Sequence, residues 1–251
     1  MRWQVFILCG VSFVGACFES RAATISGSVT LSASGTAESA DILRTVVYLD
    51  AHPALVGEPP RDDLRPQIVQ RDKSFIPDLL VVAAGTTVEF PNWDPYTHNV
   101  FSRSRAAQFD LDRYGQGQSK SYKFSNAGVV QIFCNVHPQM RAVLLVTPNR
   151  FVAGVNQRGG FAIPKVPPGR YVLVAWHERG GEVRQEIDVP AEGLRGISIA
   201  LPANATRQGI SSLGVRSEAR GVERGLSLKR ERLNLPVVGG AHAAPPLRRS
   251  R

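Results

Sequence analysis

Sulfur is what this chain of 251 residues has least of: three cysteines and two methionines. Cys9, Cys17 and Met1 fall within the first 23 residues, so beyond that point the only thiol is Cys134 and the only thioether Met140. One thiol cannot close an internal disulfide, which excludes a disulfide-stapled scaffold. Long apolar runs are equally scarce. Apart from Trp3 to Phe18, no stretch approaches the ~20 apolar residues that a membrane-spanning helix needs. Residues 24 to 202 also show no apolar stripe of helical period, which argues against a helical bundle. Basic excess is missing where a nucleic-acid-binding domain would carry it. Of the net charge of +9, residues 203 to 251 hold +7 and residues 1 to 23 hold +1, leaving +1 on everything between. Nucleic-acid recognition needs a basic face on a folded domain, so no such role is expected.

The first 23 residues, MRWQVFILCGVSFVGACFESRAA, join Arg2 to an apolar run and a small-residue exit at Ala22 or Ala23. This is the pattern of a secretory signal peptide. The segment VGAC, ending at Cys17, also loosely matches a lipoprotein processing box that would place a lipid on Cys17; the glycine before its alanine makes that the lesser reading. Either way the expected location is periplasmic or exported. An exported chain with one thiol buries it as an inert side chain or uses it, and metal ligation is one such use.

Between residues 24 and 202, short β-prone runs are broken by Gly, Pro, Asn and Asp, which predicts an all-β sandwich or barrel. TISGSVTL, RTVVYLD, DLLVVAAG, TTVEFPN, SKSYKFS, VVQIFC and RAVLLVT are the candidate strands of a first unit, residues 24 to 147. After Pro148 comes a second set, GGFAIPKV, RYVLVAW, GEVRQEIDVP and RGISIALP, assigned to a module of residues 148 to 202. About 55 residues is small for an independent core, so this module is expected to lean on the unit before it. Residues 203 to 251 carry ten Lys or Arg against three Glu, with glycines at 209, 214, 221 and 225; this reads as a basic, disordered tail. It could dock an acidic redox partner or a membrane surface.

The chemistry concentrates in VVQIFCNVHPQM, residues 129 to 140, where Cys134, His137 and Met140 follow at intervals of three. Strand alternation puts Val130, Ile132 and Cys134 on one face, sending the thiol inward at a strand end where a loop begins. A thiolate, an imidazole and a thioether within seven residues are soft or borderline donors; the thioether argues against zinc, magnesium or calcium and for copper. A mononuclear site also needs a second histidine from elsewhere. His98, in FPNWDPYTHNVFS, is the candidate, 36 residues before Cys134 and expected in the loop after the strand that ends at Pro91. His52, His177 and His242 lie in less suggestive settings. His177 is expected to end a strand, with contact to a metal or partner the lesser reading.

SFIPDLLVVAAGTTVEFPNWDPYTHNVF followed by GVVQIFCNVHPQM resembles the cupredoxins, and the Cys-x2-His-x2-Met spacing is similar to the short ligand loop of amicyanin. The whole chain resembles exported cupredoxin-like proteins labelled methylamine-utilisation or plastocyanin-like. The likeness covers about residues 40 to 147 and implies a cupredoxin-like Greek-key β-sandwich. By that resemblance His98, Cys134 and His137 would form a trigonal copper plane, one copper per chain, with Met140 as the weak axial ligand. Asn99 would tie the ligand loops together, and His137 would present the edge through which electrons pass to redox partner proteins. Residues 151 to 202 resemble a carboxypeptidase-regulatory or transthyretin-like β-module, which brings no catalytic residues.

Each residue also has a plainer reading: Cys134 as a buried structural cysteine, His98 as a polar loop residue, Met140 as a core filler. Their combination, with no other sulfur available, favours the site. The expectation is an exported blue-copper one-electron carrier rather than an enzyme, because four protein ligands leave no evident position for a substrate. Copper delivery without redox turnover is the alternative, and a metal-free structural β-sandwich a third.

Overall fold

A computed structural model describes residues 23 to 32, 41 to 55 and 65 to 202. The basic tail, Cys17 and all of the expected leader except its last residue lie outside the described residues. In chain order the strands are β1 (Ala23–Ser32), β2 (Thr45–Leu49), β3 (Val69–Arg71), β4 (Ser74–Ile76) and β5 (Leu79–Ala83). They continue with β6 (Thr86–Pro91), β7 (His98–Ser104), β8 (Ala107–Tyr114), β9 (Ser119–Phe124), β10 (Gly128–Phe133) and β11 (Arg141–Thr147). The last are β12 (Val152–Gly154), β13 (Gly160–Val166), β14 (Gly169–His177), β15 (Gly181–Val189) and β16 (Leu194–Pro202). Two single 3-10 turns, Ile42–Arg44 and Pro53–Leu55, are the only helical pieces among the described residues. The protein is all-β, as its alternating runs predict. No helix among the described residues is long and apolar enough to cross a membrane.

Side-chain alternation explains how the sheets stack. In β5, Leu80 and Val82 enter one core while Leu79 and Val81 enter another. In β11, Ala142, Leu144 and Val146 turn to the first of these, and Leu145 to the second. Strands buried on both faces read as continuous apolar runs, and LLVVA and VLLV are such runs. One sheet has the order β5-β11-β10-β7-β8, and its inner face packs on the β6-β9 and β3-β4 pairs around Phe90, Phe124, Val130 and Ile132.

The second sandwich is built from β12-β2-β14-β15 and β13-β1-β16. The pairing departs here from the expected division at residue 148. β1 bonds to β13 antiparallel and to β16 parallel, and β2 lies between β12 and β14. β1 and β2 therefore belong to the second sandwich, and the first is built from residues 65 to 147. Nothing in an alternating or all-apolar run names its partner strand, so chain continuity alone suggested the earlier grouping. The two extra strands also supply what the module of about 55 residues lacked, a core of its own that includes Ile25, Val29, Val47 and Leu49.

The sandwiches meet through a third apolar layer. Val46, Tyr48, Val174 and Trp176 pack against Leu79, Val81 and Leu145. Arg44 clasps the edge of this layer, donating from Nε to Glu178 at 2.7 Å and from Nη1 to both oxygens of Asp78 at 3.1 and 3.2 Å.

Candidate metal centre

The strands of the first sandwich bring the candidate donors to one end. His98 opens β7 rather than lying in the preceding loop, and Cys134 follows the last residue of β10. β10 and β11 form a hairpin in which Phe133 pairs with Arg141, so residues 134 to 140 are its connection. That connection folds on itself: the Met140 N–H donates to the His137 carbonyl at 2.9 Å, and the Cys134 N–H to the Met140 carbonyl at 3.3 Å. Asn99 ties it to β7, its Oδ1 accepting the Asn135 N–H at 2.8 Å while its amide donates to Asp110 at 3.1 Å. This is the linking role expected of Asn99.

Three donors converge. The Nδ1 atoms of His98 and His137 lie 3.0 Å apart, and Cys134 Sγ lies 4.0 Å from His98 Nδ1. One donor atom from each of the three residues falls within 4.8 Å of the others, and this is the one metal-capable group of His, Cys or carboxylate side chains among the described residues. Metal–nitrogen bonds of ~2.0 Å and metal–sulfur bonds of ~2.3 Å set donors in a three-ligand plane roughly 3 to 4 Å apart, so the spacing suits a transition metal. His98 is fully buried, Cys134 is 3% exposed and Met140 1%, while His137 is half-buried. Met140 shares the core of Cys134. A thiolate and two imidazoles, with a thioether in the same core, fit copper by chemistry.

Around these donors lies a polar frame that the sequence did not disclose. Asp94 Oδ2 is 2.8 Å from His98 Nε2. The same carboxylate accepts the N–H groups of Asp72 at 2.6 Å and Lys73 at 2.8 Å, the two residues of the β3-β4 turn, both with φ of 53°. Burial pushes the Asp94 carboxyl up, but the Lys73 N–H, the His98 ring and the Asp72 N–H outweigh it and hold it below the ordinary carboxylate value. Asn92 bonds the Tyr96 and Tyr114 carbonyls at 2.8 and 3.0 Å and accepts the Asp94 N–H at 2.9 Å. Burial, then the neighbouring His98 and Lys73, lower His137, with Asp94 opposing them. Tyr114, in the same core as Cys134, is pushed up by burial; its hydroxyl donates to the Phe90 carbonyl at 2.7 Å and accepts from Gln70 Nε2 at 2.6 Å.

The Asn92–Thr97 loop also carries Trp93 and Tyr96, 54% and 49% exposed, the large apolar side chains that face solvent among the described residues. The Tyr96 ring packs edge-on against His137 at 6.3 Å between centroids, and Lys73 Nζ sits 4.4 Å above it. The other histidines of the described residues have local roles. His177 ends β14, donates from Nε2 to the Asp41 carbonyl at 3.0 Å and accepts two N–H groups at Nδ1. His52 accepts the Ala54 N–H.

No protein-family model and no curated protein sequence matches the chain. Among solved structures it is similar to a purple cupredoxin from Nitrosopumilus maritimus, at 23% identity over 33% of this chain and 99% of that one, TM-score 0.30. It is similar to the Cu(I) form of an amicyanin variant, at 22% identity over 40% of this chain and 97% of that one, TM-score 0.32. A copper-containing nitrite reductase from Thermus scotoductus matches at 26% identity over 39% of this chain, TM-score 0.32, and the match spans only 25% of the reductase. These are partial likenesses, and the donor geometry stands without them.

Proposed function

We propose that this protein is an exported copper protein of the blue type, acting as a one-electron carrier between redox partner proteins. The observation that carries the reading is the convergence of His98 Nδ1, Cys134 Sγ and His137 Nδ1 at one end of the sandwich. Bound there, copper would supply a one-electron couple, and the side chains of His98, Cys134 and His137 would hold it, with the Met140 thioether of the same core as a fourth donor. The chain's own work is to hold these donors still. The self-bonded 134 to 140 connection, the Asn99 bridge and the Asp94 contact fix three of them against rearrangement when the metal's charge changes. His137, half-buried beside Tyr96, is the donor nearest to solvent and so the natural exit for an electron.

Copper delivery uses the same donors but needs an open, exchangeable site. The burial of His98 and Cys134 favours the carrier reading. A set of four protein donors also leaves no coordination position for a substrate, which favours a carrier over an enzyme.

Loading the purified chain with Cu(II) should give an intense blue thiolate-to-copper band that bleaches with ascorbate and returns on reoxidation. Cys134→Ser should remove the band. A colourless wild-type protein with its thiol intact, or a blue Cys134→Ser variant, would defeat the reading.

A further inference from the structure

We propose that the outer edge of β15 is a docking site for a basic segment of the same chain, residues 226 to 235, which joins the sheet β12-β2-β14-β15 by strand addition. The inference does not depend on the copper reading.

The hydrogen bonding of β14 shows that the edge is open. The Asp50 N–H donates to the Val172 carbonyl at 2.9 Å. In an antiparallel ladder each residue turns both backbone groups to one neighbour, and successive residues turn to opposite neighbours. Val172, Val174 and Trp176 therefore bond toward β2, while Tyr171, Leu173 and Ala175 bond toward β15, opposite Ile187, Gln185 and Val183. The N–H and C=O groups of Glu182, Arg184, Glu186 and Asp188 are left pointing away from the sheet. Among the described residues they meet no backbone partner.

Folds blunt such edges with bulges, prolines or covering groups, because an open edge is a template for another strand. β8, the edge of the five-stranded sheet, is treated in this way. Asp112 sits there at a φ of 53° with its N–H held by Asp110, and the Lys120 ammonium takes the Leu111 carbonyl. β15 has no such device: its nine residues pair with β14 in one unbroken register and include no proline.

Charge selects the occupant. Glu182, Arg184, Glu186 and Asp188 are all exposed, whereas Ile187 and Val189 enter the core. Arg184 already engages Asp50 and Glu182, so the surplus on the edge is the acid of Glu186 and Asp188. A second copy of β15 would bring the same surplus, and like charges facing each other across strands are unfavourable. A basic strand fits instead. Residues 203 to 251 lie outside the described residues, but their sequence supplies one. Gly225 and Pro236 bound the run LSLKRERLNL, in which Lys229, Arg230 and Arg232 stand against Glu231, and leucines recur at a spacing of two at 226 and 228 and at 233 and 235. The point of attachment also fits. A Cβ on Gly180 would lie 3.0 Å from the Pro202 carbonyl oxygen, so the chain leaves β16 beside the start of β15. From there residues 203 to 225 can reach up to ~75 Å, more than the ~30 Å length of β15.

The test is amide hydrogen exchange in the whole chain, followed residue by residue. The N–H groups of Arg184, Glu186 and Asp188 should exchange about 10-fold or more slowly in wild type than in a variant carrying Arg230→Glu and Arg232→Glu. Adding Glu186→Arg and Asp188→Arg to that variant should restore the protection. Unprotected amides at these positions in wild type overturn the proposal, and so does protection that survives the two tail substitutions. Protection that grows with protein concentration would mean that the segment comes from a second copy, which overturns its assignment to the same chain. If the fourfold variant fails to fold, wild type and the tail variant decide.

Discussion

Met140 shows how much one buried side chain is asked to do. It is 1% exposed, packs in the same core as Cys134, and its backbone closes the loop that carries His137. Leucine has nearly its volume, so Met140→Leu should cost less than ~1.5 kcal/mol of stability. It removes the thioether, however. In the proposed copper site that loss should shift the reduction potential while copper stays bound. Voltammetry of both proteins checks this, and an unchanged potential would reduce Met140 to a core filler. Cys134, His137 and Met140 could be named together from the sequence because they sit within seven residues and no other sulfur lies beyond residue 23. Asp94 could not be named with them. A carboxylate in a Pro-containing loop looks like any exposed loop acid until the β3-β4 turn, more than twenty residues upstream, is seen to close over it.

Among the elements, β1 departs most from what the sequence suggested. TISGSVTL was readable as a strand, with Ile25 and Val29 on one face, but its placement depends on contacts more than 130 residues away. Gly27 shows why that placement is demanding. A Cβ there would lie 2.2 Å from the Ile197 carbonyl oxygen, in the parallel pairing of β1 with β16. Neither backbone can yield without breaking the ladder. Gly27→Ala should therefore destabilise the protein by about 2 kcal/mol or more, read as a fall in thermal midpoint. Were β1 loosely attached, the same substitution would change nothing measurable. The short strands β3 and β4 escaped the sequence reading for a different reason. Three residues each give too little alternation to register, although their turn supports the site.

At the scale of the whole molecule, the apolar layer between the sandwiches couples them, and Tyr48 makes that coupling measurable. Tyr48 packs there against strands of the first sandwich while β2 pairs within the second. Burial, with Glu182 and Asp50 adding to it and Arg184 opposing, pushes its hydroxyl up to about 12 from an ordinary 10.0. In the unfolded chain the phenol ionises first, near its ordinary value. The stability tied to neutral Tyr48 is therefore complete below about pH 10 and lost as pH rises from there through about 12. At pH 11 the loss should be on the order of 1 kcal/mol. Tyr48→Phe cannot ionise, so its thermal midpoint should fall less than wild type between pH 9.5 and 11, a range chosen (~1.5 units) to straddle the unfolded-state value. The midpoint to follow is that of both sandwiches. Because Val46, Tyr48, Val174 and Trp176 share one layer with Leu79, Val81 and Leu145, the alkaline loss should appear in a single unfolding transition. Two separate transitions, with only the second sandwich responding to pH, would mean that the layer joins the sandwiches without making them cooperative, and that the site's rigidity comes from the first sandwich alone.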